Sequence, residues 1–192
     1  MPKTKEQFAE MREQTKKRLM EVGLELFAEQ GFYSTSISKI AKEAGMAKGA
    51  MYHYFESKDE LLKSIIEMGM AEMGEMMAVL EMPMPAKEKL EKVIRMTVKM
   101  VEEQPRLWKL LSSLMLQTHQ SPLVTALVKP MEQKGTELFV IMLSELGIEN
   151  PKEEAYVLAG AIDGILFHYI MAWERGNPYP MESVLNQLIS RY

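Results

Sequence analysis

The sequence predicts an all-α protein of about nine helices, and three observations carry that prediction. Apolar residues recur three and four positions apart along most of the chain. Helix formers (Met, Glu, Lys, Leu and Ala) dominate the composition, with 19 methionines among 192 residues. Proline and glycine gather at 82–85, 105, 121–122, 150–151 and 176–178, where they stop one helix or open the next. No stretch alternates with period two, so no strand is expected, and no internal repeat or low-complexity segment is present.

In chain order, residues 3–17 are polar and mixed in charge, with Lys3, Lys5, Arg12, Lys16 and Lys17. They read either as a solvated extension of the first helix or as an arm that touches a DNA backbone. Leu19, Val22, Leu26 and Phe27 then form a helical stripe ending at Gly31. Ile37, Ile40, Ala41 and Ala44 fall at i, i+3, i+4 and i+7, the buried stripe of a second, short helix. Ser36 precedes it as an N-cap, and Gly45 follows it as a helix stop. Met51 and Phe55 give the next helix its inward side. Two short helices joined by a glycine turn describe a helix-turn-helix. Packing Met51 and Phe55 inward leaves Lys48, Gly49, Tyr52 and His53 outward, a set suited to phosphates and base edges in a major groove. Ser57 with Glu60 reads as the capping box of a long helix running to about Leu80. Lys58, in its first turn, is unfavourable for the helix dipole, which a nearby phosphate would explain.

The run G-F-Y-S-T-S-I-S-K-I-A-K-E-A-G-M-A-K-G-A-M-Y-H-Y-F-E-S-K-D-E-L resembles the DNA-binding domain of the tetracycline-repressor (TetR/AcrR) family, over roughly residues 18–65. The resemblance implies that Thr35, Ser36, Tyr52 and Lys58 meet phosphates. It places Ser38, Lys48, Gly49 and His53 at or near bases, and Tyr54 near the backbone. Two positions depart from the family pattern. Ala47 stands where a Ser or Thr commonly caps the recognition helix, a loss of ~1 kcal/mol. Ala50 stands where a Thr or Ser is common, removing one possible phosphate contact.

Beyond this stretch the pattern predicts helices over 86–103, 106–119, 121–146 with Pro130 as a kink, 151–175 and 181–189. The 151–175 segment is apolar on more than one side, and Gly160 and Gly164 lie one turn apart, which lets another helix approach closely. With Leu185 and Leu188 of the last helix, these glycines read as a dimer interface of the four-helix kind, unless the segment is an ordinary core helix. The resemblance places dimerisation here too. Methionine-rich helices interrupted by polar and aromatic groups suggest an apolar cavity with a few polar anchors, although methionine also simply replaces leucine in cores. The residues chosen for an effector pocket are Trp108, Met115, His119, Asp163, Phe167 and His168. The resemblance likewise implies a small effector bound in the C-terminal part.

Charge agrees with this division. Residues 1–55 carry nine Lys/Arg against seven Asp/Glu, and the remainder fourteen against twenty. The basic end is the end with the helix-turn-helix. With no cysteine, disulfides and thiolate metal sites are excluded. No signal-peptide core or long unbroken apolar run is seen, so a cytoplasmic protein with no membrane partner is expected. Three histidines and no H-E-x-x-H, G-x-S-x-G or phosphate-binding glycine loop argue against an enzyme, and no cofactor or metal is expected. The expectation is therefore a helix-turn-helix domain over 1–60 and an effector-binding and dimerisation domain over 61–192. Its function is that of a dimeric transcriptional repressor released from a palindromic operator on double-stranded DNA by a small apolar or amphipathic molecule. The alternative is a helical ligand-binding or scaffold protein that has lost operator binding.

Overall fold

The computed structural model describes residues 4–69, 73–117 and 121–192, with side chains from 73 to 75 left aside. The described residues hold ten α-helices: α1 (Lys5–Gln30), α2 (Ile37–Glu43), α3 (Lys48–Met51), α4 (Lys58–Gly69), α5 (Met73–Ala78), α6 (Ala86–Glu103), α7 (Pro105–Met115), α8 (Pro122–Glu145), α9 (Pro151–Glu174) and α10 (Met181–Ile189). A 3-10 turn, Val79–Glu81, follows α5. The stretch read as one helix from Ser57 to Leu80 is thus described as α4 and α5, with 70–72 outside the described residues. Pro130 lies inside an uninterrupted α8, where it removes one N–H donor.

The described residues up to 69, with those between 106 and 127, form one compact unit; those from 73 to 105 and from 128 to 192 form another. The first is built on α1, whose Leu19, Leu26 and Phe27 are buried against Ile40, Met51, Phe55, Leu61 and Ile65. Gly23 permits this packing. A Cβ there would stand 2.9 Å from Leu61 Cδ2 and 3.2 Å from Ile65 Cδ1, so a larger residue would require those side-chain ends to shift. Leu107, Leu110, Leu111 and Leu114 supply the buried face of α7 in the same unit.

The second unit buries Leu90, Val93, Ile94 and Val98 of α6 with Leu158, Ile162 and Leu166 of α9 and with Leu185 and Leu188 of α10. Lys89 is nearly fully buried. Its ammonium donates to the Leu80 carbonyl at 2.9 Å and to Glu145 at 3.2 Å, giving the charge the partners that burial requires. Arg95 donates to Glu91, Glu182 and Asn186 at 2.8–2.9 Å, tying α6 to α10.

α9 is long and apolar enough to cross a membrane by length and composition, yet its apolar window is only 28% buried. The expectation of a buried helix therefore holds for one side alone. Ala155, Leu158, Ile162, Leu166 and Ile170 face the core. Tyr156, Val157 and Phe167, each between 56% and 59% exposed, share the other side with Gly160, Asp163, Gly164 and His168.

Candidate nucleic-acid interface

The reader begins at the turn between α2 and α3. Ser36 caps α2, its hydroxyl oxygen accepting from the Lys39 N–H at 3.2 Å. At the other end Gly45 takes φ +73°, its N–H donating to Lys42 O, while the Met46 N–H reaches Ala41 O. This pair of bonds is a Schellman stop, and it needs a residue that tolerates the left-handed region. α3 then opens at Ala47, which makes no side-chain cap bond. Only one α-turn forms. The chain continues through i+3 bonds, His53 N–H to Ala50 O and Tyr54 N–H to Met51 O, so the second helix of the pair is half α and half tighter winding.

Met51 and Phe55 are buried at 0% and 1%, as the packing argument requires. Ser38, Lys48, Gly49, Tyr52 and His53 are exposed, and Tyr54 is half-buried. A Cβ on Gly49 would meet nothing within 4 Å, so nothing inside the chain demands glycine there. Arg12 of α1 supports the far end of the reader. Its Nη2 donates to the His53 carbonyl at 2.9 Å, and its guanidinium lies 5.6 Å from the Tyr54 ring centre.

Two residues expected at phosphates have internal work instead. Thr35 is 1% exposed, and its hydroxyl donates toward Leu26 O and Gly31 O. The Lys58 ammonium donates to the carbonyls of Phe32 (2.7 Å), Thr35 (3.0 Å) and Tyr33 (3.3 Å), and it sits 4.4 Å from the Phe32 ring centre. Burial pushes the Lys58 pKa below the ordinary lysine range, opposed by the neighbouring Asp59 carboxylate. Three carbonyls, rather than a phosphate, account for a lysine in the first turn of α4. Ser57 caps that helix through the Glu60 N–H as predicted, but the Glu60 carboxylate accepts from the Glu56 N–H instead of closing on Ser57.

The described residues chosen for the effector pocket fall in both units. His119 lies outside the described residues. Trp108 and Met115 belong to the first unit, where the Trp108 Nε1 is buried without a hydrogen-bond partner. Asp163, Phe167 and His168 stand on the open side of α9, beside Gly160 and Gly164. Asp163 is exposed, yet partial desolvation by its surroundings, and then the Glu132 charge, push its carboxyl above the ordinary carboxylate range. A different feature, which the sequence reading missed, forms a groove of about 930 Å³ within the second unit. Met82, Met84, Met96 and Met100 line it, with Lys92, Lys99, Arg95 and three glutamates. The M-P-M-P run was legible only as a helix stop. Of the four residues assigned to a dimer surface, Leu185 and Leu188 are buried in their own unit, whereas Gly160 and Gly164 are exposed. No cluster able to hold a metal ion occurs among the described residues.

The first unit thus holds a helix-turn-helix with a buried core and an exposed polar face. Residues 19–65 match the bacterial regulatory proteins of the tetR family. The transcriptional regulator AcrR of Shigella flexneri is 39% identical over 64 residues, 33% of this chain and 30% of that protein. The chain thus matches under a third of that relative's length. Among solved structures, a TetR-like regulator from Rhodococcus sp. RHA1 aligns with a TM-score of 0.77 at 23% identity, over 93% of this chain and 92% of that one. FadR of Bacillus subtilis in complex with stearoyl-CoA aligns with a TM-score of 0.69 at 21% identity, over 90% and 95%. Residues 19–65 are thus similar to the DNA-binding domain of tetR-family regulators, and the whole chain shares the fold of the solved TetR-like structures.

The uncapped start of α3 has a measurable consequence. Ala47→Ser is expected to stabilise the unbound reader by ~0.5–2 kcal/mol, since a hydroxyl would accept an N–H that now has no side-chain partner. Slower amide exchange at residues 48–51 would show it; unchanged exchange would mean those N–H groups are protected in another way.

Proposed function

We propose that the chain is a dimeric DNA-binding transcriptional repressor. It holds a palindromic operator and is released by a small apolar or amphipathic effector in the cytoplasm. Residues 1–60 serve as the DNA-binding domain and 61–192 as the effector and dimerisation domain. One observation carries the reading: α3 and the turn that follows it bury Met51 and Phe55 while presenting Lys48, Gly49, Tyr52 and His53 to solvent. Glycine in an exposed helical turn costs about 1 kcal/mol relative to alanine. With nothing in the chain near its missing Cβ, Gly49 makes sense where another backbone must come close. Ser36 uses a lone pair as an N-cap and keeps its O–H as a donor for phosphate. Ser38, Tyr52 and His53 complete the DNA-facing set, with Tyr54 at its edge.

The open apolar side of α9 supports dimerisation, with Gly160 and Gly164 at the closest approach. Two readers then meet successive major grooves ~34 Å apart, and a two-fold protein selects two-fold DNA. The methionine-lined groove of the second unit supports an adaptable effector site, because thioether side chains repack around varied apolar shapes. The structural likeness to FadR, solved with stearoyl-CoA, favours an amphipathic ligand. An effector that binds the form with the wrong reader spacing lowers operator affinity.

The test is selection of bound duplexes from a random pool, run with wild type and with Lys48→Ala. The expected result is enrichment of two inverted half-sites, with Lys48→Ala changing base preference inside each half. A pool that shows no enrichment contradicts the reading.

A further inference from the structure

The first turns of α1 outrun the unit they belong to. Residues 4–14 are all exposed, and the first buried side chain of the helix is Leu19. Fourteen residues of α-helix, about 21 Å, precede it. This extension is well started: Thr4 and Gln7 form a complete capping box, each side chain accepting from the other's N–H. Yet Phe8 remains 60% exposed, so packing inside the chain does not account for the extension. Helices gain most of their stability from a packed face.

Its charges are sorted. At ~100° per residue, Lys5, Arg12 and Lys16 fall within about 40° of one another, on the same side as Leu19, Gly23 and Phe27. Glu6, Glu10 and Glu13 collect about 100° away, with Lys17 as the one cation among them. The cationic side is the one turned toward the reader: Arg12 holds the His53 carbonyl, and the Lys16 ammonium lies 5.6 Å from the Phe55 ring centre. Lys5 stands two turns, about 10 Å, beyond Arg12. It therefore continues the reader's surface past the C-terminal end of α3.

We infer that the N-terminal extension of α1 is a second DNA-contacting element, with Lys5 meeting phosphates that flank the half-site read by α3. The inference rests on the DNA-binding reading above and adds to it a wider footprint. The occupant is duplex DNA because the face is cationic, its acids are turned aside, and it is continuous with the reader. A contact of this kind positions the protein and carries no base information.

The experiment uses the full chain and two duplexes. One carries a selected site with ten flanking base pairs at each end; the other is trimmed to the half-sites. Wild type is expected to bind the longer duplex more tightly. Lys5→Gln should lower the slope of log affinity against log salt by about 0.9 for each protomer bound, and should no longer distinguish the two duplexes. Lys152→Gln removes a positive charge from α9 and should match wild type. Lys5→Gln indistinguishable from wild type on the longer duplex overturns the inference. So does an equal loss on both duplexes, which would place Lys5 inside the half-site. Wild type binding no selected duplex overturns the functional reading itself.

Discussion

Lys58→Ala is expected to destabilise the first unit by about 2–3 kcal/mol while leaving the salt dependence of DNA binding unchanged. The Lys58 ammonium is the shared donor to Phe32, Tyr33 and Thr35, three carbonyls of the segment that joins α1 to α2. Hydrogen bonds to a charged group are worth more than neutral ones, and half-buried carbonyls left without a donor add their own desolvation cost. The three bonds share one side chain, so their contributions do not sum. The segment ends at Ser36, the cap of α2, and loosening it should speed amide exchange through α2 as well as lower the unfolding midpoint. A lysine serving as a phosphate ligand predicts the reverse: normal stability, and a slope flatter by about one unit per protomer. Urea unfolding and a salt titration on the same variant separate the two roles.

Gly164→Leu should convert the protein to monomers and lower operator affinity by on the order of a hundredfold or more. The second figure follows from losing one of two linked half-site contacts, whose avidity gain is roughly 10²–10⁴. Within the chain an added Cβ has room. A Cβ at position 164 meets nothing within 4 Å, and neither does one at 160. Leucine is also the better helix former, by about 0.8 kcal/mol. Any loss must therefore arise where α9 meets another molecule. Far-UV helicity should stay at the wild-type value while the sedimentation coefficient falls. A variant that remains dimeric would move the interface off the side of α9 that carries Tyr156, Val157 and Phe167.

Where periodicity and capping decide the outcome, the sequence was sufficient. The stripe Ile37, Ile40, Ala41 and Ala44 shows where α2 lies. Ser36 and Gly45 mark its ends, and burial of Met51 and Phe55 follows from the same rule. Other roles depend on three-dimensional neighbours that periodicity cannot supply. Lys58 and Thr35 fit the family's phosphate positions, but the fold turns both toward the 26–35 backbone, Lys58 from 26 residues along the chain. α9 is apolar nearly all round, so its pattern did not show which side the core would take. Asp163, Phe167 and His168 were consequently read as pocket residues, although they lie on the open side. The opposite error befell Leu185 and Leu188. The stripe of a short helix was read as an interface, and its own unit covers it. The groove around Met82 and Met96 joins the segment after α5 to one side of α6, which no local pattern announces.

The central claim is that two copies of this chain act together on one two-fold DNA site. Sedimentation equilibrium of wild-type protein with a duplex carrying a single selected site measures this directly. The account predicts two chains per duplex, bound cooperatively, on a site whose halves are inverted repeats. One chain per duplex at saturation, or a selected site without a dyad, would contradict it.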